Sequence, residues 1–161
     1  MCEKLDLKDN VLHVNTCIDS YLAADLAEFI RQQLLENDIS FTYETVMSHV
    51  SKLNFLNKAR EKDFRIYLYY VATEDPEINI SRVNVRVAQN GHDVNSDRIR
   101  NRYFKSLKQL KPAIKLSHRA YIWDNSSSAS ILIAEITDGE DVKIFDTSKV
   151  PNWFVKYLIN T

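Results

Sequence analysis

Glycine is almost missing from this chain. Gly91 and Gly139 are the only two among 161 residues. A loop that wraps phosphate in backbone N–H groups needs glycines a few residues apart, so that the main chain can approach the anion, as in GxxxxGK[ST] or GxGxxG. Neither spacing occurs, so these residues hold no self-contained phosphate cradle of either kind. With 45% apolar and 27% charged residues, the chain reads as a single domain over 1–161 with a core of its own. The formal charge of −1 gives no overall attraction to nucleic acid or acidic lipid, so any polyanion site must be local.

Cys2 and Cys17 stand in no ligand or redox spacing, which argues against a disulfide framework and for a reducing compartment. His13, His49, His92 and His118 are dispersed, and no HExxH, paired CxxC or calcium-loop pattern is present, so no metal site is expected. The start, MCEKLDLKDN, is polar, and no 18-residue apolar run occurs, so neither export nor membrane spanning is indicated. The expected location is cytoplasmic.

Periodicity organises the chain. From Ser20, with Asp19 or Ser20 as cap, Leu22, Leu26, Phe29, Ile30 and Leu34 recur at helical steps. The preceding VLHV is ambiguous. Ile39–Tyr43 alternates as a strand that delivers Glu44 at its C-terminal end, after an Asn37-Asp38 turn. Ser48 caps a helix through about Lys62. Phe64-Arg-Ile-Tyr-Leu-Tyr-Tyr-Val is the clearest strand, and its nearly continuous apolar run predicts a central position covered on both faces.

Thr73-Glu-Asp-Pro-Glu carries a helix-start signal. The segment Ile80–Val87 fits both a helical face and strand alternation, and the start signal favours the helix. Asn90-Gly-His-Asp is a turn. Asn95 or Ser96 then caps a long helix toward Leu110, interrupted or restarted at Pro112, with a short helix at 113–117. Arg119–Asp124 reads as a strand and the following serines as a loop. Ser130–Ile136 and Val142–Phe145 form a hairpin around Asp138-Gly139, and Pro151 opens a final helix. Helices alternating with strands point to an α/β layered fold.

Charge is unevenly distributed. Between Arg82 and Arg119 ten Lys or Arg residues face only Asp93 and Asp97, a local balance of +8 against −9 elsewhere. Arg82 and Arg86 share one helical face, as do Arg98, Arg102 and Lys105. Two such helices joined by a turn can clamp phosphate oxygens with guanidinium donors, or can be solvated faces with ordinary ion pairs. No zinc-finger, RNP or GxxG pattern supports nucleic-acid binding, and Tyr103, Phe104 and Tyr121 suit core packing as well as stacking. Glu44 can orient a substrate hydroxyl at a strand end or be a solvated loop carboxylate.

The segment Phe41-Thr-Tyr-Glu-Thr-Val-Met-Ser, then Arg82-Val-Asn-Val-Arg86, then Asn90-Gly-His-Asp-Val-Asn-Ser-Asp-Arg-Ile-Arg-Asn-Arg102-Tyr103, resembles the zeta-toxin-like branch of P-loop kinases across roughly residues 20–137. The resemblance implies an incomplete P-loop kinase-like α/β domain of three layers, with a mostly parallel sheet, a C-terminal β-hairpin and a helical lid over about 82–110. It implies substrate placement by Glu44 and Thr45, phosphate contacts from Arg82, Arg86 and Arg102, and a nucleotide-proximal Asp124-Asn125 pair. No catalytic base is assigned, since Asn15 and Asp19 match the family pattern too loosely.

This chain reads NGHDVN where the closest branch has GGHDVP, and it has no Walker A loop. The resemblance therefore implies a truncated or degenerate small-molecule kinase-like domain, weak or inactive alone, with binding of ATP or GTP and Mg2+ weakened or lost. Two alternatives stand beside it. One is a phosphotransferase on a sugar nucleotide or similar hydroxyl substrate once a phosphate loop is supplied; the other is a noncatalytic protein-interaction domain. Expected partners are a nucleotide, a phosphorylated sugar-like ligand, a protein or a second copy of the chain, because an absent first strand leaves a sheet edge open.

Overall fold

The computed structural model describes residues 5–8, 11–14 and 20–160, with side chains from residue 21 onward. Cys2, Cys17, Asn15 and Asp19 lie outside the described residues. The chain divides into two compact units, Met1–Tyr43 and Glu44–Thr161.

In the first unit β1 (Leu5–Lys8) pairs antiparallel with β2 (Val11–Val14), so the ambiguous VLHV is a strand. Helix α1 (Ser20–Glu36) follows. Leu35 is buried, whereas Phe29 and Ile30 of the expected apolar stripe are exposed. Asp38 adopts a left-handed φ of 55°, and the Ile39 N–H bonds back to the Leu34 carbonyl at 2.9 Å, which ends the helix. The expected strand Ile39–Tyr43 does not form. Phe41 and Tyr43 do alternate inward, but their rings pack on each other at 6.1 Å and Arg31 covers Tyr43 at 5.2 Å. Among the described residues no strand pairs with this segment, so alternation alone does not make one.

The second unit begins with an irregular stretch in which Met47, buried at φ 51°, turns the chain into α2 (Ser51–Glu61). Ser48 does not cap this helix; the His49 Nδ1 accepts the Ser51 N–H instead, at 3.2 Å. Four strands follow: β3 (Tyr67–Ala72), β4 (Arg119–Asp124), β5 (Ile131–Thr137) and β6 (Asp141–Ile144), in that spatial order. β3 and β4 are parallel, while β4–β5 and β5–β6 are antiparallel, so the sheet is mixed rather than mostly parallel. The hairpin turns through Asp138 and Gly139, both at positive φ, as a primed turn requires.

The sheet corrects the expectation for β3, which among the described residues is an edge strand rather than a central one. Leu68, Tyr70 and Ala72 face the core, whereas Tyr67, Tyr69 and Val71 are 52%, 66% and 57% exposed. A run of apolar residues shows that both faces of a strand are apolar. It does not show that both are covered.

The start signal at residues 73–77 decides the ambiguous segment as α3 (Pro76–Ala88), with the Asp75 carboxylate accepting the Glu77 N–H at 2.8 Å. Helix α4 (Ser96–Leu116) starts where the Asn95 side chain accepts the Asp97 and Arg98 N–H groups, and it runs through Pro112 without the expected interruption. Pro112 and Lys108, whose carbonyl loses its partner, are both exposed, so water can satisfy that group. Pro151 precedes a short helix, α5 (Asn152–Phe154), which continues as a π turn over Val155–Ile159. Leu107, Leu110, Ala113 and Ile114 of α4, with Trp153 and Phe154, pack on Tyr70, Ala120, Ile122, Ala134 and Ile136. Within this unit that face of the sheet forms the core, and on the opposite face Tyr67 and Tyr69 of β3 are exposed.

Candidate functional site

Parallel strands deliver their C-terminal ends to the same side, where open α/β sheets bind ligands. Here those ends are Ala72 and Asp124, which are register partners. β3 runs into Thr73, Glu74 and Asp75, the last of which caps α3. β4 runs into Asn125 and the serine loop, and the Asn125 N–H bonds to the Ala72 carbonyl at 2.7 Å.

Asp124 is 9% exposed, and its carboxylate is fully engaged by the chain itself. It accepts the Trp153 indole N–H at 3.0 Å, the Ser126 N–H at 3.0 Å and the Ser126 hydroxyl at 2.9 Å. The Ser126 Oγ in turn accepts the Glu74 N–H at 2.7 Å. The Glu74 carboxylate takes the Asn152 N–H at 3.1 Å and its side-chain amide at 2.7 Å. Tyr103, considered above as a stacking group, instead donates its hydroxyl to the Thr73 carbonyl at 2.7 Å, tying α4 to the end of β3. Burial, reinforced by the Glu74 carboxylate, pushes the Tyr103 phenol well above its ordinary range.

Between the first turns of α3 and the serine loop lies an open groove of about 600 Å³, lined by Glu77, Ile78, Ser81, Arg82, Ser126, Ser127 and Ser128. Arg82 crosses to the loop and donates from Nη2 to the Ser127 carbonyl at 3.2 Å. Arg86, one turn along the same helix, has a different acceptor: its Nη2 donates to the His92 carbonyl at 3.1 Å, within the turn between α3 and α4. That turn uses Asn90 at φ 64° as its left-handed residue. Gly91 is needed for space, since a Cβ there would lie 2.4 Å from the Arg86 Cγ and 2.7 Å from its carbonyl oxygen.

Of the basic residues that the sequence groups together, Arg100 is structural. It grips Glu77 of α3 with Nε at 2.6 Å and Nη2 at 3.1 Å and also reaches Asp97, which pins the two helices together. Arg98, Arg102, Lys105, Lys108 and Lys115 are exposed, and their side-chain cations have no hydrogen-bond or ion-pair partner among the described residues, although the Arg98 N–H is held by Asn95 and the Lys115 carbonyl by Arg60.

Glu44 and Thr45 are exposed in the irregular stretch before α2 rather than at a strand end. Thr45 Oγ1 accepts the Met47 N–H at 3.4 Å, and the Met47 carbonyl accepts the Gln109 amide at 2.9 Å. Gln109 lies on the same helical face as Arg102, two turns or about 10 Å along α4. The ET segment is thus anchored on the helix that carries Arg102. Arg82 shares the serine groove that adjoins Asp124 and Asn125, while Arg86 is held in the turn. The serine groove and the Glu77–Arg100 clamp are not evident from the sequence reading. The one available signal is the triple serine directly after Asp124-Asn125.

Among the described residues no cluster of His, Cys, Asp and Glu could hold a metal ion, and no helix is long and apolar enough to cross a membrane.

An α/β fold with helices and a four-stranded mixed sheet is consistent with the P-loop kinase-like class. The family model described as "Zeta toxin" matches residues 8–147, and the chain belongs to that family. An uncharacterized protein of Haemophilus influenzae is 30% identical over 69 residues, which cover 43% of this chain and 49% of that protein. The chain therefore spans about half the length of this curated relative. No solved structure matches.

Proposed function

We propose that these 161 residues form a kinase-like domain that binds the phosphates of a nucleotide weakly and transfers no phosphoryl group by itself. The observation that carries this reading is the groove at the ends of β3 and β4, where Arg82 meets the serine loop and no glycine-rich cradle accompanies it. Asp124 acts as the anchor of that loop, and Asn125 stands at its start beside the nucleotide. Arg102, with Arg82, supplies charge to the phosphates. Arg86 holds the turn through which the lid over about 82–110 closes. Glu44 and Thr45, anchored on α4 through Met47, receive the hydroxyl of a sugar nucleotide or similar substrate.

Bound Mg2+ would neutralise phosphate charge. It would ride on the phosphates of ATP or GTP, because the Asp124 oxygens are already taken by Trp153 and Ser126. Arginines alone do not replace a ring of backbone donors aimed at the developing charge. The loss of such donors costs several kcal/mol of barrier, hence orders of magnitude in rate.

Among the described residues no strand pairs with the outer edge of β3, and this supports a second reading. A strand added there in parallel would end beside Thr73 and Asp124, so a phosphate loop supplied on it would arrive over the groove. Calorimetry with Mg-ATP and Mg-GTP, followed by a phosphotransfer assay against sugar nucleotides, tests the proposal. Weak saturable binding without turnover is expected. Steady turnover by the purified 161-residue chain refutes the leading reading.

A further inference from the structure

β3 carries none of the devices that keep a sheet edge from pairing. The segment YLYYVA has no proline, no lysine and no bulge. The Ile66 carbonyl accepts from His118 and Arg119, and the Ala72 carbonyl accepts from Asn125, so the even-numbered residues of the strand direct their main chain toward β4. By alternation, Tyr67, Tyr69 and Val71 direct theirs outward. These are the same three residues whose side chains are exposed on the uncovered face. Among the described residues no strand pairs with that edge.

We infer that this edge pairs antiparallel with β3 of a second copy of the chain, joining two four-stranded sheets into one of eight. With Tyr69 opposite the partner's Tyr69, Tyr67 meets the partner's Val71, and every exposed outward residue of the strand has an apolar counterpart. The three pairs form roughly six main-chain hydrogen bonds. Tyr69 already stacks on Tyr121 at 5.0 Å, so the ring row runs unbroken across the two-fold axis.

Charge selects this occupant and this direction. Arg65, exposed before the strand, lands opposite the partner's Thr73, beside the partner's Glu74 and the partner's Asp75. A parallel arrangement would instead set Arg65 beside the partner's Arg65. The inference does not depend on any chemistry in the groove. It does occupy the edge that a loop-bearing strand would need, so the two pairings exclude each other.

Sedimentation equilibrium of the full chain, combined with residue-resolved hydrogen exchange, tests it. A concentration-dependent dimer is expected, in which the amides of Tyr67, Tyr69 and Val71 become protected while those of Leu68, Tyr70 and Ala72 are protected in monomer and dimer alike. Tyr69→Pro removes an N–H that points away from β4, and Val71→Lys adds an edge charge. Each should abolish the dimer and leave the far-ultraviolet circular dichroism of the monomer unchanged. Arg65→Glu and added salt should each shift the equilibrium toward monomer. A chain that stays monomeric up to its solubility limit overturns the inference. So does a dimer whose 67, 69 and 71 amides exchange as fast as in the monomer, or one that tightens with salt.

Discussion

Replacing Asp124 with alanine removes three acceptor contacts at once. The Trp153 indole N–H, in a side chain 3% exposed, is left without a partner, which costs about 1–3 kcal/mol. The Ser126 N–H and hydroxyl lose a charged acceptor but gain access to water as the loop loosens, for about 1 kcal/mol each. Relief from burying a carboxylate works in the opposite direction, and the net expected loss is about 3 kcal/mol. That corresponds to a fall in Tm of roughly 10 °C for a chain of this size.

Asp124→Asn keeps one acceptor and should lose about half as much. Trp153→Phe removes the donor rather than the acceptor, so a double-mutant cycle between the two positions should return a coupling of about 1–2 kcal/mol. Thermal and urea unfolding followed by circular dichroism measures all four corners of the cycle. If Asp124→Ala costs less than about 1 kcal/mol, or the coupling is nil, the carboxylate does not hold the serine loop and the groove is not organised as described.

Other perturbations probe separate parts of the fold and site. Arg102→Ala should weaken Mg-nucleotide binding more than Lys156→Ala, and equal effects in calorimetry would remove Arg102 from the phosphate contacts. Gly139→Ala forces a Cβ to within 2.9 Å of the Lys115 Cα at φ 76°, so it should destabilise the unit by about 1–3 kcal/mol in urea. The Tyr70 phenol, pushed up to about 12 by burial, stays protonated in the fold after the unfolded chain has ionised. Tyr70 alone should therefore cost no stability below pH 10 and about 1.4 kcal/mol per pH unit from there toward 12, on top of the loss from Tyr103, whose phenol is raised as well. Tyr70→Phe should make the slope shallower by that amount and leave the Tyr103 share, and an unchanged slope in alkaline urea titrations would refute the assignment.

Local signals in the sequence were mostly reliable where their chemistry is local, the Ser48 cap displaced by the His49 ring being the exception. Asp75-Pro76-Glu77 and Asn95 start helices because a side-chain oxygen next to the chain's own N–H groups needs nothing from elsewhere. Asp138-Gly139 likewise turns the hairpin unaided. Signals that depend on a distant neighbour misled. Ile39–Tyr43 alternates without a partner strand, and the apolar run of β3 says nothing about whether a strand lies beyond it. Pro112 reads as a break only if its side of the helix is taken to be buried. At the site, the arginine pairs were visible as charges, but which of them is committed to a protein acceptor is a three-dimensional property. Arg100 meets Glu77 across 23 positions of sequence, and no periodicity reports such an encounter.

Glu74 gives the groove an order of assembly. Its N–H holds Ser126, its carbonyl receives Tyr103, and its carboxylate clasps Asn152. A nascent chain that has emerged only as far as the hairpin already owns every groove residue but lacks the two tethers, Asn152 and Trp153, that fix the loop in place. The groove is thus latched late in synthesis, once the helix that carries Asn152 and Trp153 packs in place. A ribosome paused before that point would display an unlatched serine loop rather than the tethered one.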